Sequence, residues 1–475
     1  MGDPKKQRGA AREKISLSKI SAAEARRGAI EIVRALREAG HEAYWVGGCV
    51  RDMLLGKIPV DYDIASDAKP AEVEALFPRT IPVGRQFGVV IVLQRGAQFQ
   101  VATFRAEADY QDGRRPGKVS FSHARADAIR RDFTINGLFY DPLTEQIHDW
   151  VGGRADLRAR QLRTIGDPRE RFGEDHLRIL RAVRFAAQLD FAIAPETLAA
   201  ARELAAKVQL VSAERIREEL NKLFRPPHAA RGLQLLETSG LLAQVLPEIA
   251  ATITCDQSPD FHPEGSVFNH LVKMLSLLPA DAAPSLPWAV LMHDIAKPVT
   301  AARDAATGRI TFYGHETIGA DMARTILGRL RFPKRQIEEV ATTVRYHMQF
   351  KDARQMRPAT VRRMILRPTF PLELELHRLD CLGSSGHLES YEFLVEQTRL
   401  LHQKPAVRKP LLTGEDLLSL GMKSGPAVGK LLAEARELQL GDELKTRRAA
   451  LAWARGQARA ANDLTSGGPA HKPVG

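Results

Sequence analysis

Gly47 and Gly48 stand between an apolar triplet, Tyr44 to Val46, and a short helical run, Val50 to Leu55, closed by Gly56. Such a turn lets backbone N–H groups come close to a bound anion. Val60 to Ala65 then alternate as a strand, which puts Asp61 and Asp63 on one face. Their Cα atoms lie about 7 Å apart on that reading, near enough for both carboxylates to reach one pair of metal ions. Hard oxygen ligands beside a phosphate-cradling turn suit Mg²⁺ and a nucleoside triphosphate. Alone, a Gly-Gly pair is an ordinary turn and an Asp-x-Asp a solvated strand end. Their succession in strand–turn–helix–strand order carries the specificity.

Two further stretches carry polar groups at helical spacing. In ADAIRRDFTINGLFY, Asp132 and Asn136 are four residues apart and so share a helical face, with Arg130 and Arg131 beside them. In RFGEDHLRILRAVRFAAQL, Glu174, Asp175 and Arg178 follow one another on a helical run, within a segment holding nine arginines between Arg154 and Arg184. A carboxylate accepts from an exocyclic amine and a guanidinium donates to ring acceptors. Asp175 and Arg178 are therefore equipped to read cytosine and adenine, which both carry an amine beside a ring acceptor. On spacing alone, the plainer reading is a surface ion pair worth a few tenths of a kcal/mol.

A third set is rich in histidine. His262 and His270 flank HPEGSVFNH, His293 and Asp294 sit in WAVLMHDIAK, His315 in GHE, His347 in RYHM and Asp380 in HRLDCL. A His-Asp pair inside an apolar run is costly unless it binds something. Imidazole with carboxylate suits Mn²⁺, Ni²⁺, Co²⁺ or Fe²⁺, and a bound metal activates water against a phosphoester.

The elements that must hold these groups can be read around them. Ser21 to Ala39 form an amphipathic helix that Gly40 ends, Ala71 to Phe77 a short helix, and 88–93 and 98–104 two strands about a turn. Arg105 to Ser122 lack apolar periodicity and read as a loop at the site. Asp149 to Leu157 read as a turn. Everything beyond Ala229 reads as helical, with a helix–turn–helix over Leu411 to Leu432. The expected domains are a basic disordered arm (1–20), a mixed-sheet head (21–153), a helical neck (154–228), a helical domain with the histidine cluster (229–404), a helical tail (405–455) and a disordered end (456–475). The class is α+β.

Composition narrows the partners. The chain has 475 residues, with 44% hydrophobic and 27% charged, the balance of a globular protein. A net charge of +12 favours a polyanionic partner. Cys49, Cys255 and Cys381 are isolated, against a disulfide framework or zinc knuckle and in keeping with a reducing cytoplasm. No apolar run approaches the roughly 20 residues that span a bilayer, so no membrane partner is expected. Nothing in the sequence fixes an oligomeric state.

GG-x-VRD-x-LLG followed by D-x-D resembles the signature of polymerase-β-like nucleotidyltransferases, in the branch of class II CCA-adding tRNA nucleotidyltransferases and bacterial poly(A) polymerases. RRDFTIN is similar to that family's ribose- and phosphate-binding motif, E-D-x-x-R to its protein template for choosing nucleotides, and the histidine set to the HD-superfamily metal site. The resemblance implies a polymerase-β-like head followed by an all-helical neck and body with an HD domain. It implies metal binding by Asp61 and Asp63, and a phosphate and nucleotide pocket of Gly47, Gly48, Arg51 and Asp52. Arg131, Asp132 and Asn136 would bind ribose and phosphate, and Asp175 and Arg178 would choose the base. His270, His293, Asp294 and Asp380 match the primary HD positions, with His315 and His347 as additional ligands. The implied activity is untemplated addition of CCA, from CTP and ATP, to a tRNA or other RNA 3′ end, in the cytoplasm. The HD site would add phosphodiesterase or phosphatase action on RNA ends. One departure is Gln100, where many relatives carry glutamate, so the metals fall to Asp61 and Asp63 alone. Alternatives are a poly(A) polymerase and a CC- or A-adding enzyme. An HD phosphohydrolase with a degenerate head is disfavoured by the intact aspartate pair, and a non-catalytic RNA-binding protein by two preserved clusters.

Overall fold

A computed structural model describes residues 20–81, 88–110, 116–258, 265–403 and 409–466. The N-terminal arm up to residue 19, His262 and the end at 467–475 lie outside them. The chain divides into two compact units, Met1–Leu223 with Gln234–Val245, and Phe224–Leu233 with Leu246–Gly475.

The first unit starts with α1 (Ala22–Glu38), whose cap is written in the sequence: Ser21 accepts from the Glu24 N–H while the Glu24 carboxylate accepts back from Ser21. Its Ile32, Val33 and Leu36 are buried. There follow β1 (Ala43–Val46), α2 (Gly48–Leu54), β2 (Asp63–Ser66), α3 (Pro70–Leu76), β3 (Thr80–Ile81), β4 (Val89–Gln94) and β5 (Ala97–Thr103). After β6 (Arg105–Tyr110) and β7 (Pro116–Phe121) come α4 (Ala124–Ile129), β8 (Phe139–Asp141), β9 (Gln146–His148) and α5 (Gly153–Ala159). The helices α6 (Pro168–Glu174), α7 (Leu177–Leu189), α8 (Pro195–Glu203) and α9 (Ala213–Leu223) complete the unit's longer elements.

Seven strands form one mixed sheet in the order β3-β4-β5-β2-β1-β8-β9, in which only β2 and β5 pair in parallel. β1 is buried along its whole length, as a strand covered on both faces must be. Trp45 is buried against Tyr62 at 4.7 Å between ring centroids, and Tyr44 packs with Phe104 and Phe139.

Four expectations are corrected. The stretch 105–122 is not a loop: β6 and β7 pair antiparallel, Arg105 opposite Phe121, because a backbone ladder needs no apolar alternation. The strand expected over 60–65 starts only at Asp63, leaving Asp61 ahead of it. Beyond residue 229 a two-stranded ribbon, Ala302–Arg303 with Ile310–Thr311, interrupts the helices. Finally, the polar end does not unravel at 456, since the helix Arg447–Ser466 runs through it. Its alanine content favours helix, and Ala450, Ala454 and Ala458 form a buried stripe at four-residue spacing.

The second unit is otherwise helical. Its longer helices include Val267–Ser276, Leu286–Met292, His315–Arg329, Lys334–Tyr346 and Phe370–Gly383. Among the described residues no helix is long and apolar enough to cross a membrane.

Candidate active site and a histidine-rich centre

Asp63 opens β2 directly across from Val46, so its carboxylate stands beside the Gly47 turn. Gly47 has φ 72° and ψ −126°, a backbone that other residues reach only under strain, and a Cβ there would lie 3.0 Å from an Arg131 Nη. The next three residues open α2, whose first N–H groups have no partner inside the helix. Asp61 and Asp63 are exposed while Tyr62 between them is buried, so the strand-like alternation extends past the paired residues. Although Asp63 keeps an exposed edge, the protein packed around its carboxyl raises the pKa by desolvation; Arg131 opposes this and the Asp61 charge adds to it. A carboxylate whose charge is disfavoured by a second carboxylate beside it fits a divalent cation.

A cavity of about 550 Å³ opens over this edge, all within the first unit. It brings together Gly47, Gly48, Arg51, Asp63, Arg131, Asp132, Asn136, Asp175 and Arg178. Asp52 and Asp61 are not among its lining residues; Asp52 instead accepts from Arg51 Nε at 2.9 Å. Gln100 does line the cavity, one step from the parallel Ile64–Val101 pairing and so beside Asp63. It places a neutral amide where a third carboxylate would strengthen a metal site.

α4 ends at Ile129 and a 3₁₀ turn follows at Thr134–Asn136, so Asp132 and Asn136 do not share a continuous helix. They meet nonetheless: Asn136 Nδ2 donates to Asp132 Oδ1 at 3.1 Å, and Arg51 donates to Asn136 Oδ1 at 2.8 Å. The other Asp132 oxygen accepts from Arg181 at 2.5 Å. Burial pushes the Asp132 carboxyl up, but Arg181 outweighs it and the pKa falls to about 2. Asp127, buried beneath, pairs with both Arg130 (2.6 Å) and Arg131 (3.0 Å) and so aims these guanidiniums.

The expected single helix through Glu174, Asp175 and Arg178 is broken. Asp175 is extended (φ −143°) between α6 and α7, and its Oδ1 accepts from the Leu177 N–H, a local bond that competes with helix. The partners differ accordingly. Arg178 pairs with Glu174 and donates to the Arg130 carbonyl at 3.1 Å, whereas Asp175 Oδ2 accepts from Arg215 of α9 at 2.7 Å. Asp127 could have been found from its i,i+3 and i,i+4 spacing to Arg130 and Arg131, whereas Arg181 and Arg215 carried no local signal, since each acts on a residue brought to it by the fold.

In the second unit, His270, His293, Asp294, His315 and His347 are buried and Asp380 is half-buried. Their ligand atoms fall into two groups, His270 with His293 and Asp380, and Asp294 with His315 and His347. His293, His315 and His347 each hold Nδ1 against the carbonyl three residues earlier, at 2.8, 2.7 and 2.6 Å. A carbonyl only accepts, so each Nδ1 carries the proton and, in the neutral ring that metal binding requires, each Nε2 turns a lone pair inward. His315 Nε2 and His347 Nε2 then face each other at 3.2 Å, and His293 Nε2 is buried 3.1 Å from Asp294 Oδ2. Asp294 Oδ1 lies 3.4 Å from His315 Nε2. Although buried, Asp294 is held ionised, well below the usual range, by His293 and Lys297, while burial pushes His347 down to about 3, which leaves it neutral. Converging acceptors of this kind repel one another unless a cation sits among them, so the residues fit a metal.

Three family models match the chain: the poly A polymerase head domain over residues 43–163, a probable RNA- and SrmB-binding site of polymerase A over 190–253, and the HD domain over 267–369. The CCA-adding enzyme of Geobacillus stearothermophilus is 45% identical over 223 residues, 47% of this chain and 55% of that protein. The CCA-adding enzyme of Bacillus licheniformis is 40% identical over 261 residues, 54% of this chain and 65% of that protein. The chain thus spans about half the length of the curated relatives it matches. The crystal structure of the Bacillus stearothermophilus CCA-adding enzyme in complex with CTP superposes with a TM-score of 0.71 at 28% identity, covering 92% of this chain and 98% of that one.

Proposed function

We infer that the chain is a member of the family of class II CCA-adding enzymes and bacterial poly(A) polymerases that carry an HD domain, and from that premise we propose that it adds CCA, from CTP and ATP, to the 3′ end of tRNA in the cytoplasm. The observation that carries this reading is the single cavity shared by Asp63, the Gly47 turn, Asp175 and Arg178. Asp61 and Asp63 would hold Mg²⁺, which when bound neutralises the triphosphate and favours ionisation of the RNA 3′-hydroxyl. Gly47, Gly48 and Arg51 cradle the triphosphate, with Asp52 holding Arg51 in place. Arg131, Asp132 and Asn136 bind ribose and phosphate. Asp175 accepts from the exocyclic amine of cytosine or adenine, and Arg178 donates to the ring. Selection of both bases by one side-chain pair favours CCA addition over a poly(A) polymerase or a partial CC- or A-adding enzyme. Sequencing the 3′ ends made from a tRNA lacking CCA, with each triphosphate separately and together, decides among them: CCA ends only with CTP and ATP support the reading, and long A tails overturn it.

The inward lone pairs of His293, His315 and His347 favour a second reading for the HD domain. His270, His293, Asp294, His315, His347 and Asp380 would hold Mn²⁺, Ni²⁺, Co²⁺ or Fe²⁺, whose chemistry when bound is hydrolysis of a phosphoester, such as a 2′,3′-cyclic phosphate at an RNA end. The purified protein should carry bound metal and hydrolyse a 2′,3′-cyclic nucleotide. Absence of both with every one of these ions overturns this second reading.

A further inference from the structure

Phe185 of α7 lines the cavity of the first unit and is buried there. Its ring meets the Phe133 ring in a T-shaped contact at 5.8 Å between centroids, which fixes its orientation. Three guanidiniums stand over it. The Arg184 Cζ lies 3.9 Å from the ring centroid, that of Arg181 5.1 Å and that of Arg51 5.4 Å. All are inside the roughly 6 Å over which a ring face attracts a cation. Arg51 comes from α2, next to the Gly47 turn, and the other two from α7 itself. Arg184 is buried, whereas Arg51 and Arg181 line the cavity.

Among the described residues the three share no hydrogen-bond acceptor. Arg51 donates to Asp52 and Asn136, Arg181 to Asp132, and Arg184 to Glu219 and Gln188. What they share is the Phe185 ring. Like charges this close repel: burial lowers the Arg184 pKa, Glu219 opposes this, and the Arg181 charge adds to the lowering. A carboxylate in the place of the ring would relieve the repulsion, but it would cancel the charge and occupy the N–H donors that a phosphate needs. An aromatic face attracts cations through its quadrupole and takes up neither.

We propose that Phe185 is a positioning residue for the triphosphate, holding Arg51 and Arg181 at the cavity wall with their charge and donors open to phosphate oxygens. This rests on the reading that the cavity binds a nucleoside triphosphate. Choice of base stays with Asp175 and Arg178, which are held by Arg215 and Glu174 and not by the ring.

The test replaces Phe185 in the full chain with mono-, di- and trifluorinated phenylalanine. Each fluorine drains negative charge from the ring face while its size barely changes. Binding of CTP, ATP and inorganic tripolyphosphate in the presence of Mg²⁺ is measured by calorimetry, and the melting temperature of each variant is recorded. Kd should rise with every fluorine, by about two- to thirty-fold over the series. The rise should be alike for all three ligands, with the melting temperature unchanged. Kd values indifferent to fluorination would overturn the proposal, and the nucleotide reading would stand. A rise for CTP and ATP that tripolyphosphate lacks would set the ring against the base and overturn it too. So would a rise that only tracks a falling melting temperature, since that marks packing alone. Wild-type protein that binds none of the three would overturn the nucleotide reading and this inference with it.

Discussion

Arg215 Nη2 donates to Asp175 Oδ2 at 2.7 Å, and this contact, rather than one to Arg178, orients the carboxylate in the cavity. Arg178 is held separately by Glu174. The two groups that would read a base are thus fixed by separate partners.

Asp175→Ala or Arg178→Ala should leave the Asp61/Asp63 edge intact but relax the choice of CTP and ATP over UTP and GTP, each at about 1–3 kcal/mol of discrimination. Arg215→Met should lose part of that selectivity and Arg215→Lys should recover some of it, because a lysine still pairs with Asp175. Single-turnover incorporation of all four triphosphates measures this. Unchanged selectivity in all of these variants would make the two pairs mere surface salt bridges.

That relationship also marks where reading the sequence stops. The strand–turn–helix–strand around Gly47 and Asp63 is legible because its signals are local: apolar triplets, glycines and alternation. Asp175 and Arg178 stand out through the resemblance of E-D-x-x-R to a nucleotide template, since spacing alone reads as a surface ion pair. Their partners are another matter, since Arg215 is 40 positions from Asp175 and Arg181 is 49 from Asp132. No periodicity encodes such pairs; the packing of α7 against the segment after α4, and of α9 against the α6–α7 junction, creates them. The helix break at Asp175 was hidden for a related reason. The flanking residues have helical spacing, and only the side-chain bond to the Leu177 N–H shows the interruption.

Asp61→Ala and Asp63→Ala should each abolish nucleotide addition while RNA binding persists. Binding would come from arginines and lysines elsewhere and should weaken steeply with salt. Gel-resolved primer extension at saturating Mg²⁺ is the measurement. Substantial addition by either variant would remove that aspartate from the metal site.

Stability of the first unit should depend on pH through Asp132. Its pKa is depressed from 3.8 to about 2 in the folded protein. The contribution is therefore fully present above about pH 4 and is lost as pH falls toward 2. The shift corresponds to about 2 kcal/mol. Urea unfolding between pH 5 and 2.5 should show this loss in the wild type. Arg181→Met should be less stable at pH 5 and show a flatter acid limb. An acid limb as steep as in the wild type would place the pH dependence on other carboxylates.

The HD centre supplies the last test, because its geometry separates a metal site from a polar core. With His315 and His347 turning Nε2 toward each other at 3.2 Å, an empty centre holds facing lone pairs in a buried space. A cation removes that repulsion, so occupancy should stabilise the second unit. At a free metal concentration of about 100 times Kd the gain is about 2.7 kcal/mol. Chelation should therefore lower the melting temperature of the wild type, and Mn²⁺, Ni²⁺, Co²⁺ or Fe²⁺ should restore it. His293→Ala with Asp294→Ala removes one group from each half of the cluster and the Lys297 partner as well. That variant should bind no metal at this centre, melt at a temperature insensitive to chelator, and lose phosphoester hydrolysis while keeping nucleotide addition, whose residues all belong to the first unit. A melting temperature that chelation leaves unchanged in the wild type would reduce the cluster to a hydrogen-bonded polar core. Loss of nucleotide addition in the variant would show that the two activities are not separable.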